Sequence, residues 1–163
     1  MRHSRVACLV VSLIGAVLLS AKAKPPISVV VSPSSQTVKT GASVLLKVTL
    51  TNTSKQDLAF YDGNPFCDYP ITIRDSDGNE PPETAYNRES KCNKRPDGEY
   101  VVVSRNIFRV LKRGESQSGE INTANYYDLR RTGRYTIQLF RHLPATIAEQ
   151  DIAANSVTAT VTE

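Results

Sequence analysis

The sequence predicts an all-β chain, folded as an antiparallel sandwich of about seven to nine short strands with one long cysteine-bearing loop. Short β-branched runs alternate apolar and polar residues at period two, and Gly, Pro, Asn and Asp turns separate them. No segment of helical length is amphipathic. The clearest run is Asp128 to Phe140: Tyr135, Ile137 and Leu139 face one way, while Arg134, Thr136 and Gln138 face the other. Leu129, Gly133 and Tyr135 form the expected structural corner, with the Tyr135 ring packed and its hydroxyl bonded to nearby backbone.

The first residues have a different character. Met1 to Arg5 is short and basic, Val6 to Leu19 is an apolar run, and Ala21 and Ala23 supply small residues, which is the layout of a secretory signal peptide over 1–23. The run is 14 residues long, short of the roughly 20 that span a bilayer. Cys8 lacks the small-residue context of a lipid-attachment site. Without residues 1–23, which hold three basic residues and no acid, the net charge falls from +4 to +1. A nucleic-acid partner therefore loses its electrostatic support. Residues 24–163 are enough for one domain with a real core, and no later segment is long and apolar enough to span a membrane.

The elements follow in order. Lys24-Pro25-Pro26 is an extended lead-in. Ile27 to Val31 is a β-branched strand, broken at Pro33 and resumed at Gln36 to Lys39, as an edge strand tolerates. Thr40-Gly41-Ala42 turns the chain. Ser43 to Thr51 is the cleanest strand, with Val44, Leu46, Val48 and Leu50 on one face. Asn52-Thr53-Ser54 closes it and matches a glycosylation acceptor. Asp57 to Tyr61 returns, with Leu58 and Phe60 inward.

Tyr69 to Asp75 is a short strand. Asp75-Ser76-Asp77-Gly78 suits a tight hairpin that needs φ > 0. The same acids could serve a hard cation, but Pro81-Pro82 interrupts further ligand spacing, so no metal site is assigned. From there to Gly98 no hydrophobic period is visible, and this stretch is expected to be loop. Tyr100 to Ser104 and Ile107 to Leu111 are strands, the latter with Phe108 and Val110 on one side and Arg109 outward. Ser116 to Ile121 is a weaker, polar strand. Residues 142–152 could carry one helical turn or none, and Asn155 to Val161 is the last strand.

Cys67 and Cys92 are the only cysteines after the signal segment, and in an oxidising compartment they are expected to pair. The bridge would close a loop of roughly 25 residues, worth about 3 kcal/mol by chain entropy. It would pin a loop rich in aromatic and basic residues: Tyr61, Phe66, Tyr69 and Tyr86, with Arg88, Lys91, Lys94 and Arg95. Tyr and Arg are enriched at interfaces, so these eight are the expected partner-binding residues. Arg130, Arg131, Arg134 and Arg141, with Arg105, Arg109, Lys112 and Arg113, read as a solvated basic face or as a patch for an acidic partner.

Catalysis is not expected. His142 is the only histidine beyond the signal segment and reads as a strand-end surface residue rather than a base. No carboxylate spacing singles out an acid and base pair, and no cofactor motif is present.

The Thr40-Gly41 turn, Thr51-Asn52-Thr53-Ser54, Asp75 to Gly78, Leu111 to Glu115 and the Asp128-Leu129 to Tyr135 corner together resemble secreted bacterial immunoglobulin-like domains. Among them, the bacterial proteinase-inhibitor β-domain family is similar, as are β-domains that precede some secreted metalloendopeptidases. The likeness covers most of residues 36–141, and its motifs are turn and corner chemistry, specific for fold and weak for function. The stretch from Gly63 to Gly98 departs from the simpler members. The resemblance implies an immunoglobulin-like sandwich over 24–163. The expected function is a secreted or periplasmic, non-catalytic binding module for a protein or polysaccharide, with proteinase inhibition as the alternative and a secreted hydrolase as the weakest.

Overall fold

The computed structural model describes residues 24–62, 65–90 and 107–163. The expected signal segment, Cys92, Lys91, Lys94, Arg95, Tyr100 and Arg105 fall outside these residues.

β1 (Ile27–Pro33), β3 (Leu45–Asn52) and β7 (Ser116–Asn122) form an antiparallel sheet in the order β1-β3-β7. Val29 lies opposite Leu50 and Val31 opposite Val48, so the β-branched residues of β1 and the leucines of β3 share one buried face. The other face is exposed, mixes Val30 and Leu45 with polar residues, and is knitted by hydroxyls, Thr49 to Ser118 at 2.9 Å and Thr51 to Ser116 at 2.7 Å. This is the in-out alternation expected of a half-buried antiparallel sheet.

A second sheet runs β2 (Thr37–Lys39), β10 (Val157–Thr162), β8 (Gly133–Leu143), β5 (Ile71–Arg74). The chain's first extended run is thus divided between the two sheets: β1 is antiparallel to β3, while β2, beyond the Pro33 break, is parallel to β10. β9 (Gln150–Ala153) adds to the end of β8, where the sequence suggested at most a helical turn. β4 (Leu58–Asp62) and β6 (Ile107–Leu111) make a separate two-stranded ribbon. Leu46, Ile73, Leu111, Ile137 and Leu139, from both sheets and the ribbon, meet in one buried core.

Tyr135, Ile137 and Leu139 are buried, and the Tyr135 hydroxyl donates to the Arg131 carbonyl at 2.8 Å. Gly78 takes φ of 84°, and the Asp75 carboxylate accepts from the Asp77 and Asn79 amides at 3.0 and 2.8 Å, so that side chain is used inside the hairpin.

Two expectations change here. The stretch after Gly78 is not wholly loop: Glu83 bridges to Tyr127, and α2 (Ala85–Ser90) follows, its first turn capped by Thr84 Oγ1 accepting from the Asn87 amide at 3.0 Å. Asn52, the glycosylation candidate, is buried; its Nδ2 donates to the Gln56 and Leu111 carbonyls at 2.8 and 2.9 Å, so the folded chain gives a transferase no access to it.

Candidate functional site

β8 alternates strictly, and its buried positions run Tyr135, Ile137, Leu139, Arg141, Leu143. A guanidinium therefore enters the core by the same parity that carries the aliphatics. Arg141 is fully buried, which corrects its placement on a basic surface face. Burial of a charge demands partners. Its Nη2 donates to Asp62 Oδ1 at 2.7 Å, and its Nη1 lies 3.3 Å from the Asp68 carbonyl and 3.5 Å from Asp68 Oδ1. The Tyr69 and Phe60 rings flank it with centroids 4.7 and 5.3 Å from the guanidinium carbon. Arg141 Nε has no hydrogen-bond partner among the described residues.

Asp62, at the end of β4, takes a second cation. Arg109 Nε donates to Asp62 Oδ2, and Arg109 Nη1 reaches Gln117 Oε1 at 3.3 Å. Arg109 consequently faces inward, and Phe108 and Val110 face solvent, the reverse of the sequence expectation for β6. The physical reason lies in the pairing: β6 lies against β4, and Asp62, held by Arg141, offers an anion on the inner side. Burial pushes the Tyr69 phenol up to about 12, with Arg141 the main opposing influence.

The outer side of the ribbon is apolar. Tyr61 lies opposite Phe108 with ring centroids 5.2 Å apart, and Ala59 lies opposite Val110. Tyr61 is 59% exposed, Phe108 57% and Val110 45%. An open cross-strand aromatic pair beside a β-branched residue is the most exposed apolar cluster on one element among the described residues. The sequence places Phe108 and Val110 on the side away from an outward Arg109, so Tyr61 is the one residue of this face among the expected partner-binding residues.

On the inner side a cleft of about 240 Å³ separates β7 from the ribbon. One bank is Gln117 to Ile121, the floor includes Val48 and Leu50, and Asp62, Arg109 and Tyr69 line the other. It opens because β6 and β7, joined by Lys112 to Glu115, pair with different strands, β4 and β3.

The remaining expected site residues scatter. Phe66 and Cys67 lie in α1 (Pro65–Asp68), where the Phe66 ring is buried between Tyr126 and Tyr86, at 4.5 and 5.0 Å. Tyr86 is exposed on α2, and the exposed Arg88 of the same helix donates back to the Glu83 carbonyl. Cys67 is disulfide-bonded. His142 sits half-exposed at the surface, its Nδ1 2.8 Å from Asp151 Oδ1. Arg130, Arg131 and Arg134 are exposed, and Arg130 is tied to Asp128. Among the described residues no group of three metal-ligating side chains is present, and no helix is long and apolar enough to cross a membrane.

No family model and no curated protein matches the chain. Among solved structures, the chain is similar to the alkylpurine DNA glycosylase AlkC of Pseudomonas fluorescens bound to abasic-site DNA, at 10% identity and a TM-score of 0.42, covering 85% of this chain and 31% of that one. It is also similar to β-glucosidases of Erythrobacter marinus and Listeria innocua, at 12% and 13% identity and TM-scores of 0.42 and 0.40, over 83% and 84% of this chain and 15% and 16% of theirs. The chain thus spans less than a third of the length of each, and likeness at this level carries nothing about function.

Proposed function

We propose that this protein is a secreted, non-catalytic binding module on an immunoglobulin-like sandwich, and that its contact surface is the open face of the β4–β6 ribbon. The observation that carries it is the solvent-facing Tyr61 and Phe108 pair with Val110 beside it. Folding gains nothing from leaving two large rings in water, whereas a partner that covers them gains their full apolar area. Supporting the fold are the first run shared between two sheets and the Tyr135 hydroxyl bonded back to Arg131, both habits of immunoglobulin-like domains. Supporting the absence of catalysis is Asp62, the most buried carboxylate of the cluster, whose two oxygens are committed to two guanidiniums. Secretion rests on the signal-like segment, and with it a Cys67 to Cys92 bridge that anchors the intervening chain to α1. Inhibition of a proteinase draws support from the resemblance alone.

The partner class argued for is a protein, since Tyr and Phe flanked by a β-branched side chain make the core of such interfaces. The test is capture by immobilised protein from a secreted-protein fraction and, in parallel, from a polysaccharide panel. A Tyr61→Ser/Phe108→Ser variant should lose at least tenfold of its capture of the protein partner while keeping its thermal midpoint. Equal capture by both forms overturns the assignment, and loss confined to polysaccharide reassigns the face.

A further inference from the structure

The three-stranded sheet has two edges, and the chain treats them differently. Along β1, the Asn155 side chain acts as a peptide group: Val31 N–H donates to Asn155 Oδ1 and Asn155 Nδ2 donates to the Val31 carbonyl, both at 2.8 Å. Along β7 no described strand pairs on the outer side. The phase of its ladder follows from two flanking bonds, Thr123 N–H to the Val44 carbonyl and Asn52 N–H to the Glu115 carbonyl. In an antiparallel ladder bonded pairs alternate, so Gln117, Gly119 and Ile121 spend their peptide groups on β3. Ser116, Ser118 and Glu120 direct theirs to the side that no described strand covers. β7 contains no Pro, Lys or Arg, and Glu120 is its one charged side chain, so among the described residues little guards this edge against strand addition.

The cleft runs along this same edge. A Cβ built on Gly119 meets nothing within 4 Å, which leaves room above Val48 for a side chain that β7 itself does not supply. Charge on the inner bank cancels, Arg109 and Arg141 against Asp62 and Asp68. An entering side chain should therefore be uncharged. The opposite face of β7 carries an exposed anion, Glu120, which lies across from Lys47 of β3 and leaves its other flank to a second basic neighbour on an added strand.

We propose that β7 accepts an extended segment of a partner protein as an added strand, with Val, Ile or Leu seated over Gly119 and Lys or Arg at the adjacent position beside Glu120. Backbone pairing supplies affinity, and the two alternating side chains supply selectivity. The site is independent of the aromatic face on the ribbon, so the Tyr61→Ser/Phe108→Ser variant should bind the segment unchanged.

The test is a titration of 15N-labelled protein with the capped peptide Thr-Thr-Val-Lys-Thr-Thr. Amide shifts should concentrate at Ser116, Ser118 and Glu120. Replacing the peptide Val by Asp should weaken binding at least fivefold. Ser118→Pro removes an N–H that serves only the open side, and should weaken binding at least tenfold with the ladder to β3 intact. As a second variant that keeps the backbone, Glu120→Lys should reverse the preference, favouring a peptide with Glu in place of Lys. No shifts at millimolar peptide, or no change of preference in Glu120→Lys, overturns the proposal. So does a dimer in sedimentation that Ser118→Pro dissolves, which would give the edge to a second copy of this chain.

Discussion

β8 and β6 each set an arginine among apolar residues at period two, and the two strands treat their faces differently. In β8 the apolar parity points to the core, and Arg141 is drawn inward with it because position, not polarity, sets the direction of a strand side chain. In β6 Phe108 and Val110 point to water, while Arg109, on the parity of the buried Leu111, turns to Asp62. The difference teaches that a strand's alternation says which residues share a face and leaves open which face is covered. The inner face of the ribbon sets an ion cluster beside the buried Leu58, Phe60 and Leu111, and the outer face carries exposed rings, so charge is held inside while apolar surface is left outside. Such an inversion costs solvation on both faces.

Breaking the inner side should have the largest effect. Asp62→Ala leaves the fully buried Arg141 with Asp68, 3.5 Å away, as its one carboxylate among the described residues, and should cost about 3 kcal/mol, the lower end for an orphaned buried charge. Urea unfolding measures it, and a change under 1 kcal/mol would mean the cluster behaves like a surface ion pair.

The second effect is on alkaline stability. The Tyr69 phenol, which covers Arg141, ionises near 10 when unfolded and at about 12 when folded. Between those values the unfolded state has lost a proton that the folded state retains, so stability is complete below about pH 10 and falls as pH rises toward about 12. Burial raises Tyr126 and Tyr127 in the same direction. Unfolding free energies across that range should decline, and less steeply in Tyr69→Phe; a flat profile contradicts the burial of the ring.

The smallest effect sharpens the contrast. Phe108→Ser on the outer side should shift stability by no more than about 0.5 kcal/mol, as surface changes do, although it removes a whole ring. A loss of several kcal/mol would place Phe108 in a core and dissolve the difference between the two faces.

Much of the frame was legible in the residues. The alternation in β3, the Asp75 to Gly78 hairpin and the Tyr135 corner all fold as their local chemistry implies, because each depends on neighbours a few positions away. Arg141 was legible too: it continues the buried parity of Tyr135, Ile137 and Leu139, and counting two residues further would have placed it inside. Other features were hidden. α2 is only six residues long and rests on a Thr84 cap and contacts with residues 125–127, which are distant in sequence. β9 exists because β8 runs past its partners and offers an edge. Phe66 was singled out for binding and is instead packed between Tyr86 and Tyr126.

By itself the sequence determined the described strands other than β9, the turns between them and which side chains lie together on a face, since φ/ψ preference and period two are local properties. Only the tertiary structure decided which faces were buried and which edges were left open. Pairing partners come from elsewhere in the chain: Asp62 against Arg109 and Arg141 across 47 and 79 positions, and Asn155 against Val31 across 124. Those distant meetings turned Phe108 outward and capped the β1 edge at Val31, while no described strand covers the outer edge of β7.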